Sequence, residues 1–441
     1  MTSLQRQKII FTLGLPIIAG MLSQSVLNLI DAALVGRLGE ASLAGVGIGG
    51  YANFVVISLI LGLSSAVQAL VARRRGEGRA ELACHPVYAG VLISFLIALP
   101  LSLLFISHSE WIISLMTDDP AVQEIASGYF DYRTAAMLAV GLNLSFRGWW
   151  NGSKRPYHYF RALLITHLLN VIISYCLIFG EFGLPRLGAQ GAGLGSAIAL
   201  FSGALLNGFL FCRDPQAHRQ INWFNLLPGL RQVIQLAVPH SLQQLFLALA
   251  ICILIWIIGQ LGTNEQAIAH VLINLSLFLI LPAVGFGVAS TSLISHDLGA
   301  GRVDAAAQWG WDVVKTALST LCLLSLPLWF LPQQVLAIFL TSAPLIEQAS
   351  LPLQLTALAI CLDAAALVLT QSLLGVGANR TVLLISTFGQ WCFFLPLAWL
   401  FGPILGFGLI GIWLMQVLHR AASSVLFMRI WSQQNWQKIR I

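Results

Sequence analysis

The sequence predicts an all-α integral membrane protein, with twelve transmembrane helices in two pseudo-symmetric six-helix lobes around a central cleft. Three observations predict it. Of 441 residues, 58% are hydrophobic and only 9% charged, with mean hydropathy +0.84, where soluble domains carry about 25% charged residues. The apolar runs are long enough to span a bilayer as helices, about 20 residues each, and lack the short alternation of barrel strands. The chain also repeats itself at a nearly fixed offset.

Taken in order, the spans fall near 9–36, 44–72, 84–106, 124–149, 158–180, 188–212, 231–260, 267–296, 306–330, 347–374, 381–401 and 406–430. With both termini on one side, twenty of the 23 Lys and Arg residues sort to that side, leaving Arg37, Arg133 and Arg186 opposite. Basic residues favour the cytoplasm, so both termini are expected there. The net charge of +6 is therefore read as topology, with the bilayer as partner and no nucleic acid. Arg6 and Lys8 lead directly into a spanning run, without the short apolar region and small-residue site of a cleavable signal. Arg147 is expected to snorkel, and Trp149 and Trp150 to anchor an aromatic belt. The outer acids Glu110, Asp118, Asp119 and Glu124 are read as a solvated loop. Seven scattered cysteines without CxxC spacing indicate neither disulfides nor a metal site.

The repeat fixes the organisation. Leu15-Pro16 answers Val238-Pro239, the Gly36–Gly39 turn answers Gly259–Gly262, and Gly76–Arg79 answers Gly299–Arg302, all 223 residues apart. Gly152 and Arg155 answer Gly377 and Arg380 at 225. Even span numbers make the repeats parallel, about an axis along the membrane normal. The expected lobes are 1–212 and 231–441, joined by a polar cytoplasmic linker over 213–230.

The first span carries the chemistry. Asp31 sits in an apolar helix with Asn28 and Gln24 three and seven residues earlier, on one face. A carboxylate at membrane depth costs about 2.5–3.5 kcal/mol on insertion scales and is tolerated in a wet cavity or a protein interior. A neutral acid hydrogen-bonded within the bundle is the plainer alternative. The equivalent residue in the second lobe is Leu254, so the acid is unmatched. On span 5, His167, Asn170 and Ser174 make a polar stripe expected to face it, with Ser196 nearby. The alternative is interhelical glue. His240 and His270 are read as satisfied interhelical histidines rather than proton relays.

This layout resembles the multidrug and toxic compound extrusion (MATE) family over essentially the whole chain. The resemblance rests on the duplicated twelve-span plan and on Pro16 with Leu29-Ile30-Asp31-Ala32-Ala33-Leu34-Val35-Gly36-Arg37-Leu38. The Gly-x-Gly-Arg ends of spans 2 and 8 and Gln190–Ser196 add to it. Within the family the chain is similar to the DinF-type branch, whose first-helix acid aligns with Asp31. The resemblance implies export of drugs, cationic or amphipathic small molecules, driven by H⁺ or Na⁺. It also implies a coupling site to which Asn170 and Ser196 contribute, while Ser174 replaces the branch's second acid. The NorM-type branch places a cation site in the second lobe, where Asp363 matches one acid and Phe246 stands in place of the other. No resident cofactor and no catalytic residue are implied, and a monomer is expected.

The mechanism expected is antiport by competition at Asp31. Desolvation favours the protonated form of a buried acid, while the anion can pair with a cationic substrate. Gln24, Asn28 and Asn170 would complete the substrate site. Inward movement of one charge across about 100 mV supplies roughly 2.3 kcal/mol. Pro16 is a candidate hinge, or else harmlessly marks the first helical turn. A Na⁺-coupled exporter using Asp363 and a lipid or lipid-linked flippase are the rivals; the flippase should show a basic cavity, and the basic residues lie elsewhere. DDxxD, HExxH and GxSxG patterns are absent, which argues against a membrane enzyme, and no channel selectivity filter is recognisable.

Overall fold

A computed structural model describes residues 2–217 and 223–439. Among the described residues, eleven helical stretches are long and apolar enough to cross a membrane. These are spans 1 (Ser3–Gly36), 2 (Glu40–Gly76), 3 (Ala80–Ile106), 5 (Pro156–Phe179) and 6 (Ala189–Arg213). After them come 7 (Leu227–Gly259, in a helix from Trp223), 8 (Thr263–Gly299), 9 (Val303–Phe330), 10 (Ala343–Val376), 11 (Asn379–Ile404) and 12 (Gly408–Gln433). Span 4 is the twelfth, broken at Ala136 into Pro120–Ala135 and Met137–Gly152. Its first piece starts where Asp119 caps the helix, accepting from the Ala121 N–H at 2.9 Å. One member of the outer acidic run is thus a helix cap. Span 7 begins at Trp223, so the second part of the expected 213–230 linker is helical; 218–222 lie outside the described residues.

The repeat is written into the backbone. Gly39 and Gly262 share positive φ, 110° and 139°, as do Gly78 and Gly301, at 76° and 73°. Each pair is 223 apart and ends or begins a span where a side chain would be strained. The Gly152–Gly377 offset of 225 is corrected. Gly377, with φ 90°, corresponds to Lys154, with φ 59°, again 223 away. Matching turn bonds confirm the register: Lys154 N–H to Asn151 C=O and Gly377 N–H to Leu374 C=O. The left-handed turn, not the identity of the residue, fixes the correspondence. The short helices Ser109–Ser114 and Pro332–Leu336 also start 223 apart.

The compact units depart from the expected boundary. One comprises Ala19–Gln244, the N-terminal unit; the other, the C-terminal unit, comprises Met1–Ile18 with Leu245–Ile441. Packing explains the difference. In the C-terminal unit, Arg6 Nε pairs with Asp312 at 2.7 Å and its guanidinium lies 4.1 Å from the Trp309 ring centre. Phe11 meets Phe286 edge-on at 5.4 Å. In the N-terminal unit, the start of span 7 is held by Arg74 to Gln232 at 2.9 Å and by His240 Nδ1 to Ser65 Oγ at 2.6 Å. Gly62 N–H donates to Ser241 Oγ at 3.0 Å. Span 2 is interrupted between Ser58 and Gly62, which frees that amide for a partner on another helix.

The two close approaches are repeat equivalents. A Cβ on Gly62 would fall 2.1 Å from the Ala237 carbonyl oxygen, and one on Gly285 would fall 2.4 Å from Ile18 Cγ1. Gly62 and Gly285 are 223 apart, as are Ile18 and Ser241. The contact is polar in one unit and apolar in the other. Both changes of unit come just after the helix-embedded prolines Pro16 and Pro239. The helix around Pro16 starts at Ser3, about 3.6 turns earlier at 3.6 residues per turn. The first-turn reading of Pro16 is therefore withdrawn: its ring interrupts an established hydrogen-bond ladder.

Candidate transport site in the N-terminal unit

Span 1 presents Gln24, Asn28 and Asp31 at helical spacing, and span 5 presents His167, Asn170 and Ser174. The structure joins these into two chains of hydrogen bonds rather than one. In the first, His167 Nε2 meets Gln24 Oε1 at 3.1 Å, Gln24 Nε2 donates to Asn28 Oδ1 at 3.1 Å, and Ser23 Oγ meets His167 Nδ1 at 3.2 Å. In the second, Ser174 Oγ donates to Asn170 Oδ1 and Asn170 Nδ2 to Ser196 Oγ, each at 3.1 Å.

The two chains have different surroundings. Asn170, Ser174 and Ser196 are 4%, 0% and 1% exposed. A Cβ on Gly195 would fall 2.5 Å from Ser174 Oγ, so spans 5 and 6 touch there. These three satisfy one another inside a helix contact. Gln24 and Asn28 are exposed within a spanning segment. Their amides are bonded to each other and to His167, as polar groups at that depth require.

Asp31 belongs to neither chain. Its Oδ1 is buried and takes no hydrogen bond, a costly state for a polar atom. One turn further, Val35 packs with Tyr129 of span 4 and with Ile178, Ala189 and Ala192. Arg133, one turn beyond Tyr129, acts electrostatically on Asp31. The Arg133 Nε is buried and likewise without a hydrogen-bond partner. The sequence reading put Arg133 with the outer basic residues; it lies within the helix Pro120–Ala135, half-buried. Its spacing of four from Tyr129 was the available signal. Asp131, two residues before and on another face, accepts a hydrogen bond from Ser109.

The equivalent place in the C-terminal unit carries no charge. Leu254 is buried in the apolar core of that unit. Thr356, 223 residues after Arg133, is buried and bonded to Trp413 Nε1 at 2.7 Å. Asp363, the second-lobe candidate, is 6% exposed and paired with Arg420 of span 12. Arg420 had been counted with the basic C-terminal end, yet it sits in the middle of its span and neutralises an acid. Phe246, at the position of the other acid, packs edge-on against Trp391, ring centres 6.1 Å apart. His270 opens on a cavity of about 220 Å³ with Gln266, Asn274, Ile255 and Ile258, whereas His240 is bonded to Ser65 and Gln244.

At the end of span 6, outside the spanning segments, Asp214 binds Arg155 and Trp149. Burial opposes its ionisation, but bonds from Arg155, the Gln216 N–H and Trp149 outweigh it and hold the carboxyl below its usual range.

The comparisons with known proteins agree with this layout. The family model described as MatE matches residues 16–176 and again 239–400, once in each repeat. A probable multidrug resistance protein NorM from Mannheimia succiniciproducens is 25% identical over 444 residues, covering 97% of this chain and 94% of the relative. Multidrug resistance protein NorM from Burkholderia vietnamiensis is 26% identical over 420 residues, covering 91% and 88%. Among solved structures, a MOP superfamily transporter from Pyrococcus furiosus superposes with TM-score 0.91 at 19% identity, over 99% of this chain and 97% of that one. An outward-facing MATE family transporter superposes with TM-score 0.90 at 20% identity, over 99% and 97%. The chain belongs to the MatE family, a family of multi-pass transporters and not of enzymes.

Proposed function

We propose that this protein exports cationic or amphipathic small molecules by H⁺ antiport, with Asp31 holding the proton and the cargo in turn. The observation that carries the reading is the buried, unbonded Oδ1 of Asp31 on the same helix as the exposed Gln24 and Asn28. An acid placed there for packing alone would be hydrogen-bonded; an acid that exchanges partners is left open. Competition of two ligands for one carboxylate couples their flows. Gln24 and Asn28 line the same face and serve the substrate. Asn170, Ser174 and Ser196 hold spans 5 and 6 in register behind it. Pro16 is the bending point of span 1. On Asp31, Asn170 and Ser196 we assign the chain to the DinF-type branch, as a monomer in a bacterial inner membrane with both termini cytoplasmic.

H⁺ is preferred to Na⁺ because Asp363 already has Arg420 as its counter-charge. The test is drug efflux and substrate-driven proton release in everted vesicles, with and without Na⁺. Asp31→Asn should express and fold normally while losing both activities. Normal export by a well-expressed Asp31→Asn variant, or transport driven by Na⁺ alone, would overturn the proposal.

A further inference from the structure

Two thiols meet on an exposed seam of the C-terminal unit. Cys322 of span 9 and Cys361 of span 10 are both free, and they are hydrogen-bonded to each other. Cys322 is exposed and Cys361 partly so, so a reagent can reach the pair from outside the unit. The surface around it is leucine. Leu318 and Leu326 stand one turn to either side of Cys322, Leu358 and Leu362 flank Cys361, and all four are exposed. Cys322 lies eight residues, about 12 Å, inside the end of span 9, and Cys361 at least fifteen residues inside either end of span 10. A leucine surface at that depth is covered by lipid tails, so the pair opens onto hydrocarbon. In the first repeat the same two places, 223 residues earlier, hold Leu99 and Leu138. The frame accepts leucine at both, and sulfur is not imposed by packing.

We propose that Cys322 and Cys361 form a covalent binding site for lipid-soluble organic arsenic(III) compounds, R–As(OH)₂, which bridge the two sulfurs. Both S–H bonds and both As–OH bonds break, two As–S bonds form, and the protons leave with the hydroxyls as two waters. Arsenic stays trivalent, and nothing is oxidised. The medium selects this class of ligand. A charge in hydrocarbon is costly, so a fitting reagent takes neutral thiols to a neutral product. A univalent metal ion would leave a charged bis-thiolate. Disulfide exchange starts from a thiolate, which apolar surroundings withhold. Condensation with an arsenic hydroxide needs neither. Contact between the thiols supplies the rest, because the first As–S bond makes closure of the second intramolecular. A solitary thiol lacks that gain. The bridge ties span 9 to span 10 within the membrane, and it is independent of the antiport reading.

The experiment uses the full chain in phospholipid nanodiscs, with phenylarsine oxide, which hydrates to the dihydroxide, as the probe. The wild type should gain one phenylarsenic group per chain by intact mass. Two of its seven thiols should then fail to react with N-ethylmaleimide after unfolding in detergent. The adduct should survive 2-mercaptoethanol, a monothiol, and be released by the dithiol 2,3-dimercaptopropanol. Anionic 4-carboxyphenylarsine oxide should label at least about tenfold more slowly, because its carboxylate resists entering hydrocarbon. Cys322→Leu and Cys361→Leu, which borrow the residues of the first repeat, should each lose the monothiol-resistant adduct while melting like the wild type. Cys322→Ser, close to cysteine in size, should show the same loss and serves if a leucine variant does not fold. A wild type without a monothiol-resistant adduct, a variant that keeps it, or equal labelling by the two arsenicals would overturn the site.

Discussion

Breaking the Asp363–Arg420 pair distinguishes a structural ion pair from a sodium site. Asp363 is 6% exposed, and the Arg420 side chain is 24% exposed. Removing one partner of a buried pair costs about 3–5 kcal/mol, most of it from stranding the other charge. Exposure sets where each variant falls. Arg420→Gln strands the more buried acid and belongs near about 5 kcal/mol. Asp363→Asn strands a guanidinium that water can reach, and the amide oxygen still accepts, so about 3 kcal/mol is expected. Asp363→Leu with Arg420→Met removes both charges together and should come within about 1–2 kcal/mol of wild type, because apolar replacement of a whole buried pair is often neutral. The assay is unfolding in mixed micelles for the four proteins, with and without Na⁺. An ion bound only by the folded protein stabilises it by about 2.7 kcal/mol at a hundredfold excess over its Kd. A double variant that loses as much as the two single variants together, or a stabilisation by Na⁺ of that size abolished by Asp363→Asn, would refute the ion-pair reading.

Two further perturbations test other features. Gly62→Ala would drive a Cβ to 2.1 Å from the Ala237 backbone oxygen. That contact cannot be relieved by rotating a side chain, so a loss of at least about 1–3 kcal/mol in thermal stability is expected; unchanged melting would show that spans 2 and 7 do not meet there. Asp214, whose carboxyl is held below its usual range, contributes stability that is full above the unfolded value of about 3.9 and drains away as pH falls through the folded one. Asp214→Asn should therefore lower the melting temperature at neutral pH and flatten its decline below about pH 4, and an unchanged acid limb would contradict the bond network.

The span plan was legible because it depends on one-dimensional signals. Composition, run length and the 223-residue spacing all follow from the chain alone, and the turns at Gly39 and Gly262 or Gly78 and Gly301 needed only glycines at matched positions. Lys154 escaped because a left-handed turn can be held by a non-glycine residue. The exchange of span 1 and span 7 beginnings escaped because periodicity says which residues share a face, not which neighbour covers it. The polar faces of spans 1 and 5 were readable, and Gln24 does meet His167. That Asn170, Ser174 and Ser196 bond among themselves instead of to Asp31 needed the third dimension. Arg133 and Arg420 were missed for one reason: a basic residue was counted as a marker of sidedness, when an acid on a neighbouring helix can hold it at depth.

The exchange of helix beginnings has a consequence for biogenesis. The N-terminal unit extends to Gln244, and the C-terminal unit begins with Met1–Ile18. A ribosome that has finished span 6 has therefore not yet supplied all of the first unit, and its leading segment must wait for partners as far along as Asp312. Synthesis at about 5–20 residues per second makes that wait tens of seconds. Cutting the gene between spans 6 and 7 would give two fragments, each lacking a piece of its own unit and carrying a piece of the other's. Separately expressed halves should be degraded, and rescue should require both in one cell.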